Sequence, residues 1–149
     1  MAMPQRFSSR EYGERCVALR ADPDALPLQE DTGLPFASTV DGVMHACGHD
    51  AHTSILMGVA EALVAMRDEL PGSVMLVFQP SEEGAPDGER GGASLMVEEG
   101  LFADFVPDAM FGLHVFSTLP AGTIGVRSGP LMAASDKFTI KVNGVKTHG

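Results

Sequence analysis

The sequence predicts an α/β fold. Elements follow one another as strand, loop, helix, strand, helix, strand, the pattern of a sheet flanked by helices. The strand candidates are near-continuous apolar runs, as expected of parallel strands covered on both faces. The longer helix candidate carries its apolar residues at helical spacing.

Residues 1–14 show no clear periodicity and are read as a disordered leader. Cys16-Val17-Ala18-Leu19 is a short apolar strand, and Arg20-Ala21-Asp22-Pro23-Asp24 is the loop that ends it. Residues 28–43 read as loop, punctuated by Gly33-Leu34-Pro35. A helix is predicted from Ala51 or His52 to Leu70, with Asp50 as N-cap and Ile55, Val59, Leu63, Met66 and Leu70 on its apolar side. Pro71-Gly72 stops it. Val74-Met75-Leu76-Val77-Phe78 is the next strand, about Gly92 to Glu99 a second helix stopped by Gly100, and Ala109-Met110-Phe111-Gly112-Leu113 another buried strand. After Pro120 the character changes. Thr123-Ile124-Gly125-Val126 and Phe138-Thr139-Ile140-Lys141-Val142 alternate like half-exposed strands.

Composition narrows the class. With 149 residues there is room for one domain and the start of a second. The hydrophobic share of 44% against 20% charged fits a globular chain rather than a disordered one. No apolar run approaches a membrane span, and residues 1–13 lack the apolar centre of a secretory signal. A net charge of −10 argues against nucleic acid as partner, since phosphate binding needs a basic footprint. Two cysteines without a signal peptide suggest a reducing, cytoplasmic setting. Cys16, in an apolar run, reads as a buried hydrophobe.

Met44-His45-Ala46-Cys47-Gly48-His49-Asp50-Ala51-His52-Thr53 concentrates three His, one Cys and one Asp at the mouth of the first helix. Gln79-Pro80-Ser81-Glu82-Glu83-Gly84 follows one strand, and His114 ends another. In parallel sheets ligands collect beyond the carboxyl ends of the strands, so these islands can meet at one edge. Thiolate, imidazole and carboxylate together form a ligand set for a divalent transition metal. Cys47 and His49 are two apart, a spacing that lets an extended loop present both to one ion. His45 and His52 read equally well as groups that orient a ligand or as structural histidines. Adjacent Glu82 and Glu83 tend to diverge, so one can coordinate while the other takes a proton from water. Taken alone the pair reads as a solvated turn, given Pro80, Ser81 and Gly84. A phosphate-cradling glycine loop, a His-Glu-x-x-His helix and a Gly-x-Ser-x-Gly elbow are absent.

Five ordered motifs resemble the metal-dependent amidohydrolases that include hippurate hydrolase, N-acyl-amino-acid hydrolases (aminoacylases) and plant auxin-conjugate hydrolases. They are Arg20-Ala21-Asp22-x-Asp24-Ala25-Leu26-Pro27, the Met44–Thr53 block, Gln79–Gly84, Gly112-Leu113-His114 and Gly129-Pro130-Leu131-Met132-Ala133. The resemblance runs from about residue 16 to the end. It implies a partial doubly wound catalytic domain over 15–132 and the start of an inserted α+β lid or dimerisation domain over 133–149. It implies Cys47, His49, Glu83 and His114 as metal ligands and Glu82 as general base. Two divalent ions, Zn or Mn foremost and Co or Ni also admissible, would activate a water for attack on the amide of an N-acyl amino acid. Asp22 and Asp24 would be supporting residues, and His148 would reach a substrate carbonyl or carboxylate. The full-length parent would be a homodimer, with no membrane or nucleic-acid partner. Pro23 stands where that family commonly has Met, and residues 1–14 do not resemble its N-terminal region. The rest of the lid and the later catalytic-domain strands, which carry the last metal-binding histidine, are expected to lie outside this chain.

The leading expectation is thus an amidohydrolase of N-acyl amino acids, present as a fragment. A truncated, non-catalytic remnant with a partial metal site is the alternative. A plain metal-binding module would need Cys47, His49, Glu83 and His114 but not the carboxylate of Glu82.

Overall fold

The structure, a computed structural model, describes residues 15–133 and 138–145 together with the backbone of 5–8. It contains strands β1 (Gln5–Ser8), β2 (Cys16–Ala21), β3 (Ser73–Phe78) and β4 (Ala109–Gly112), and helices α1 (His49–Ala65) and α2 (Gly92–Glu98). The four strands form one sheet in the order β1-β3-β2-β4. β2 is parallel to both β3 and β4, with Cys16 opposite Ser73 and Val17 opposite Ala109. β1 runs antiparallel to β3. A strand at Gln5–Ser8 differs from the disordered leader expected there; the remainder of 1–14 lies outside the described residues. Backbone pairing to β3 supplies an order that side-chain periodicity does not announce.

The pleat of the central strands divides the core in two. Met75 and Val77 of β3, with Cys16 and Ala18 of β2, pack against Met96 of α2 and against Leu101, Phe102 and Phe105 after it. Val74 and Leu76, with Val17, Leu19 and Ala21, pack on the other face against Leu56, Ala60 and Leu63 of α1. Successive side chains of a strand point to opposite faces, so two covered faces require the unbroken apolar runs seen in the sequence. The sheet is therefore α/β and doubly wound, with one helix on each face.

α1 starts two or three residues earlier than expected. Gly48 is its N-cap, in the left-handed region at φ 90°, and no side chain caps it; Asp50 lies within the first turn. A Cβ at residue 48 would overlap the Val115 side chain, so glycine meets both a backbone and a steric demand there. The helix ends at Ala65, and a single 3-10 turn (Arg67–Glu69) carries the chain to Pro71. The buried side of α1 is centred on Leu56, while Ile55 and Met66 are exposed. α2 closes as a Schellman motif: Leu101 N–H bonds to Met96 C=O, Gly100 N–H to Val97 C=O, and Gly100 has φ 94°.

Two strand expectations change. β4 is present but exposed at all four residues, because among the described residues it is one of the sheet's two outer strands and neither helix covers it as they cover β2 and β3. Residues 123–126 and 138–142 form no strand; Ile124, Val126, Phe138, Ile140 and Val142 are exposed, and among the described residues no partner supplies a ladder. The chain divides into two units, Met1–Val115 and Phe116–Gly149, and the described part of the second holds turns at residues 116–119 and 120–123 but no helix or strand. Among the described residues no helix is long and apolar enough to cross a membrane.

Met75 is 1% exposed in a strand paired on both sides. Met75→Ala should cost about 2–5 kcal/mol in chemical denaturation, from lost burial and the cavity left behind. Met110→Ala on exposed β4 should stay within about 0.5 kcal/mol of wild type. Equal losses at the two positions would contradict this placement of the core.

Candidate metal centre

Because β2, β3 and β4 are parallel, the chain leaves all three at the same edge. Asp22 and Asp24 follow β2, Gln79 to Glu83 follow β3, and His114 follows β4. The N-terminus of α1 brings Cys47 and His49 to that edge.

His49 is the hub and is 1% exposed. Its Nδ1 lies 2.9 Å from the Asp24 carbonyl oxygen and 3.1 Å from Asp24 Oδ1, both acceptors, so Nδ1 carries the proton. In the neutral ring Nε2 then keeps its lone pair, buried and without a hydrogen-bond partner among the described residues. Around Nε2 stand Asp22 Oδ2 at 3.6 Å, Glu82 Oε2 at 3.8 Å and Glu83 Oε1 at 3.9 Å. A buried acceptor facing three carboxylates is costly unless a cation joins them. Asp24 also accepts the Glu83 N–H through Oδ2 at 3.0 Å, so one carboxylate orients an imidazole and fixes the backbone of the Glu82–Glu83 turn. Ser81 enters that turn at φ 55°, an uncommon non-glycine conformation that aims the two carboxylates after it.

Cys47 Sγ lies 3.4 Å from His114 Nε2. His114 Nδ1 donates to the Val115 carbonyl at 2.7 Å, which leaves Nε2 as an acceptor. Donor atoms of Cys47, His49 and His114 lie within 4.8 Å of one another, as do those of His49, Glu82 and Glu83. The two sets share His49, and their sulfur, nitrogen and oxygen donors suit a divalent transition metal.

A third set within the same limit is Asp22, His49 and His52. Its two further members, Asp22 and His52, are otherwise engaged. Asp22 Oδ1 accepts from His52 Nδ1 at 2.7 Å and Oδ2 from Arg20 Nη1 at 2.6 Å. Arg20 Nε also bonds Gln79 Oε1 at 3.1 Å, joining the ends of β2 and β3. Burial works to raise the Asp22 pKa, but the His52 hydrogen bond, then the charge of Arg20, hold it below the ordinary aspartate value. A depressed carboxylate contributes stability that is in place at neutral pH and lost as pH falls through its folded-state pKa.

The site therefore gathers Cys47, His49, Glu82, Glu83 and His114 at one sheet edge. His45 is exposed and joins none of the three sets. His148 lies outside the described residues. Sequence reasoning missed the double role of Asp24, whose signal was the Arg20–Pro27 motif, and the distorted backbone of Ser81, which has no sequence signal.

The chain matches Peptidase family M20/M25/M40 over residues 18–147 and belongs to that family. An N-acetylcysteine deacetylase of Bacillus subtilis is 51% identical over 142 residues, covering 95% of this chain and 35% of the relative. An N-acyl-L-amino acid amidohydrolase of Geobacillus stearothermophilus is 47% identical over 135 residues, covering 91% of this chain and 35% of the relative. A Bacillus subtilis crystal structure, described as a dinuclear metal binding peptidase from the M20 family, matches with a TM-score of 0.75 at 48% identity. That match covers 86% of this chain and 33% of the other. The chain spans about a third of the length of these relatives.

Burial raises the Cys47 pKa, and a hydrogen bond to Glu83 with the charges of Glu83, Glu82 and Asp22 raises it further. A bound divalent cation would reverse this bias. In the metal-free chain, Cys47 should react slowly with iodoacetamide, with a midpoint above that of a free thiol. Glu83→Gln removes a repelling charge and should lower the midpoint and speed the reaction at fixed, mildly alkaline pH. An unchanged rate would show that the carboxylate does not act on the thiol. Cys16, buried in the sheet, does not compete.

Proposed function

We propose that this chain carries the ligand-bearing part of a metal-dependent amidohydrolase acting on N-acyl amino acids, hippurate-like conjugates among them. The observation that carries the reading is His49 Nε2, a buried lone pair among three carboxylates and beside the Cys47–His114 pair. The names of the relatives support an amide substrate of this class. In this reading 15–132 belong to the catalytic domain, 133–149 begin the lid, and His148 contacts substrate. The complete enzyme works as a cytoplasmic homodimer.

Cys47, His49, Glu83 and His114 would hold two divalent ions, with zinc or manganese the best fit to the donors. Bound there, the ions supply Lewis acidity that polarises an amide carbonyl and eases deprotonation of water. Glu83 is tied to the ligand cluster through its hydrogen bond with Cys47 and its N–H bond to Asp24. Glu82 is the more open of the two, its side chain 40% exposed against 28% for Glu83. That openness supports Glu82 as the group that takes a proton from the attacking water and passes it to the leaving amine nitrogen as the carbon–nitrogen bond breaks.

Metal content after dialysis should be high in the wild-type chain and lost in a Cys47→Ala, His114→Ala double variant; equal content in both would remove the metal reading. Hydrolysis is read in a chain joined to the remaining two thirds of a relative such as the Bacillus deacetylase. There Glu82→Gln should keep its metal and lose roughly 10²–10⁴-fold in rate. Glu83→Gln should weaken metal binding itself. A near wild-type rate for metal-loaded Glu82→Gln would disprove its role as base.

A further inference from the structure

His52 is 2% exposed and has both ring nitrogens engaged. Nδ1 faces Asp22 Oδ1 at 2.7 Å, and Nε2 receives the Val115 N–H at 2.9 Å. A carboxylate can only accept and an amide N–H can only donate, so the ring is fixed as the neutral Nδ1–H tautomer. It has no lone pair left for an ion, although it lies within reach of one. Asp22 is itself held by Arg20 and, at its carbonyl, by Thr53 Oγ1 at 3.2 Å. Val115 is the residue after His114. Its side chain lies where a Cβ on Gly48 would be, so the segment leaving β4 is pressed against the start of α1. The His52 and His114 rings meet edge to face with centroids 4.6 Å apart.

We propose that Arg20, Asp22 and His52 form a latch that grips the Val115 backbone and thereby sets His114 beside Cys47. His52 is then a positioning residue that acts on the centre through His114 rather than a ligand. β4 is exposed and packs at most weakly on the helices; its ladder with β2 carries the chain only as far as Gly112, two residues short of His114. The His52–Val115 hydrogen bond ties the chain just beyond β4 to α1. The consequence for metal binding rests on the metal reading above; the grip on Val115 does not.

The test uses the full 149-residue chain. Nitrogen-15 spectra of the unsubstituted, metal-free protein should show His52 with protonated Nδ1 and bare Nε2; a protonated Nε2 overturns the latch without any variant having to fold. Glutamine can replace the Nε2 acceptor, whereas asparagine can replace only the Nδ1 donor. Hydrogen exchange at the Val115 amide should therefore stay slow in His52→Gln and become fast in His52→Asn, with β2 and β3 amides unchanged. Equal protection in both variants overturns the proposal.

Cobalt(II) titration, read by the thiolate charge-transfer band, tests the link to the centre. His52→Asn should weaken binding about 10–100-fold, as expected for loss of a group that orients a ligand. His52→Gln should remain near wild type. Added to His114→Ala, His52→Asn should cost nothing further, because its effect passes through His114. A loss that persists undiminished in that background overturns the positioning role. A wild-type chain that takes up no cobalt overturns the metal reading instead, and the latch is then decided by exchange and tautomer alone.

Discussion

The parallel alignment of β2 with β3 and β4 is the constraint on which the rest depends. Parallel strands need crossover connections, and these send α1 and α2 to opposite faces of the sheet. They also place the carboxyl ends of all three strands together. Asp22, Asp24, Glu82, Glu83 and His114 are distant in sequence, yet each occupies the first few residues after a strand. No side chain has to reach across the domain to meet the others.

A carboxylate–imidazole web turns that meeting place into a defined site. Asp24 fixes the tautomer of His49 and holds the Glu83 backbone; Asp22 fixes the tautomer of His52, which in turn accepts from Val115. The two aspartates thus act at one remove, each determining which nitrogen of a histidine keeps its lone pair. At His49 that lone pair faces the carboxylates of Asp22, Glu82 and Glu83, and at His52 it is spent on the backbone. Two histidines three residues apart on the same helix consequently serve different ends. The interaction partner of Nδ1 does not separate them, since both donate to aspartate. What separates them is whether an N–H stands opposite Nε2.

The same web explains why the centre is acidic and strained. Acceptors outnumber donors around His49 Nε2, the Cys47 thiol is biased toward its protonated form, and Ser81 has a positive φ. Each of these is unfavourable in the metal-free chain, and a divalent cation relieves the first two. Membership of the M20 family and similarity to a structure described as dinuclear fit that electrostatic demand.

The sequence by itself determined the strands β2 and β3, the existence of α1 and α2, the Gly100 stop and the convergence of Cys47, His49, Glu82, Glu83 and His114. These rest on local rules: apolar runs, helical spacing, turn residues, and the tendency of strand ends to collect ligands. Only the tertiary structure decided the pairing of Gln5–Ser8, the exposure of β4, the absence of strands at 123–126 and 138–142, and the division of labour between His49 and His52. A strand exists only if a partner offers a ladder, and burial depends on what covers a face; neither partner nor cover is written in the segment itself. The role of an imidazole likewise depends on the group that meets its second nitrogen. For His52 that group is the backbone of Val115, 63 residues away, and an amide N–H has no sequence signature.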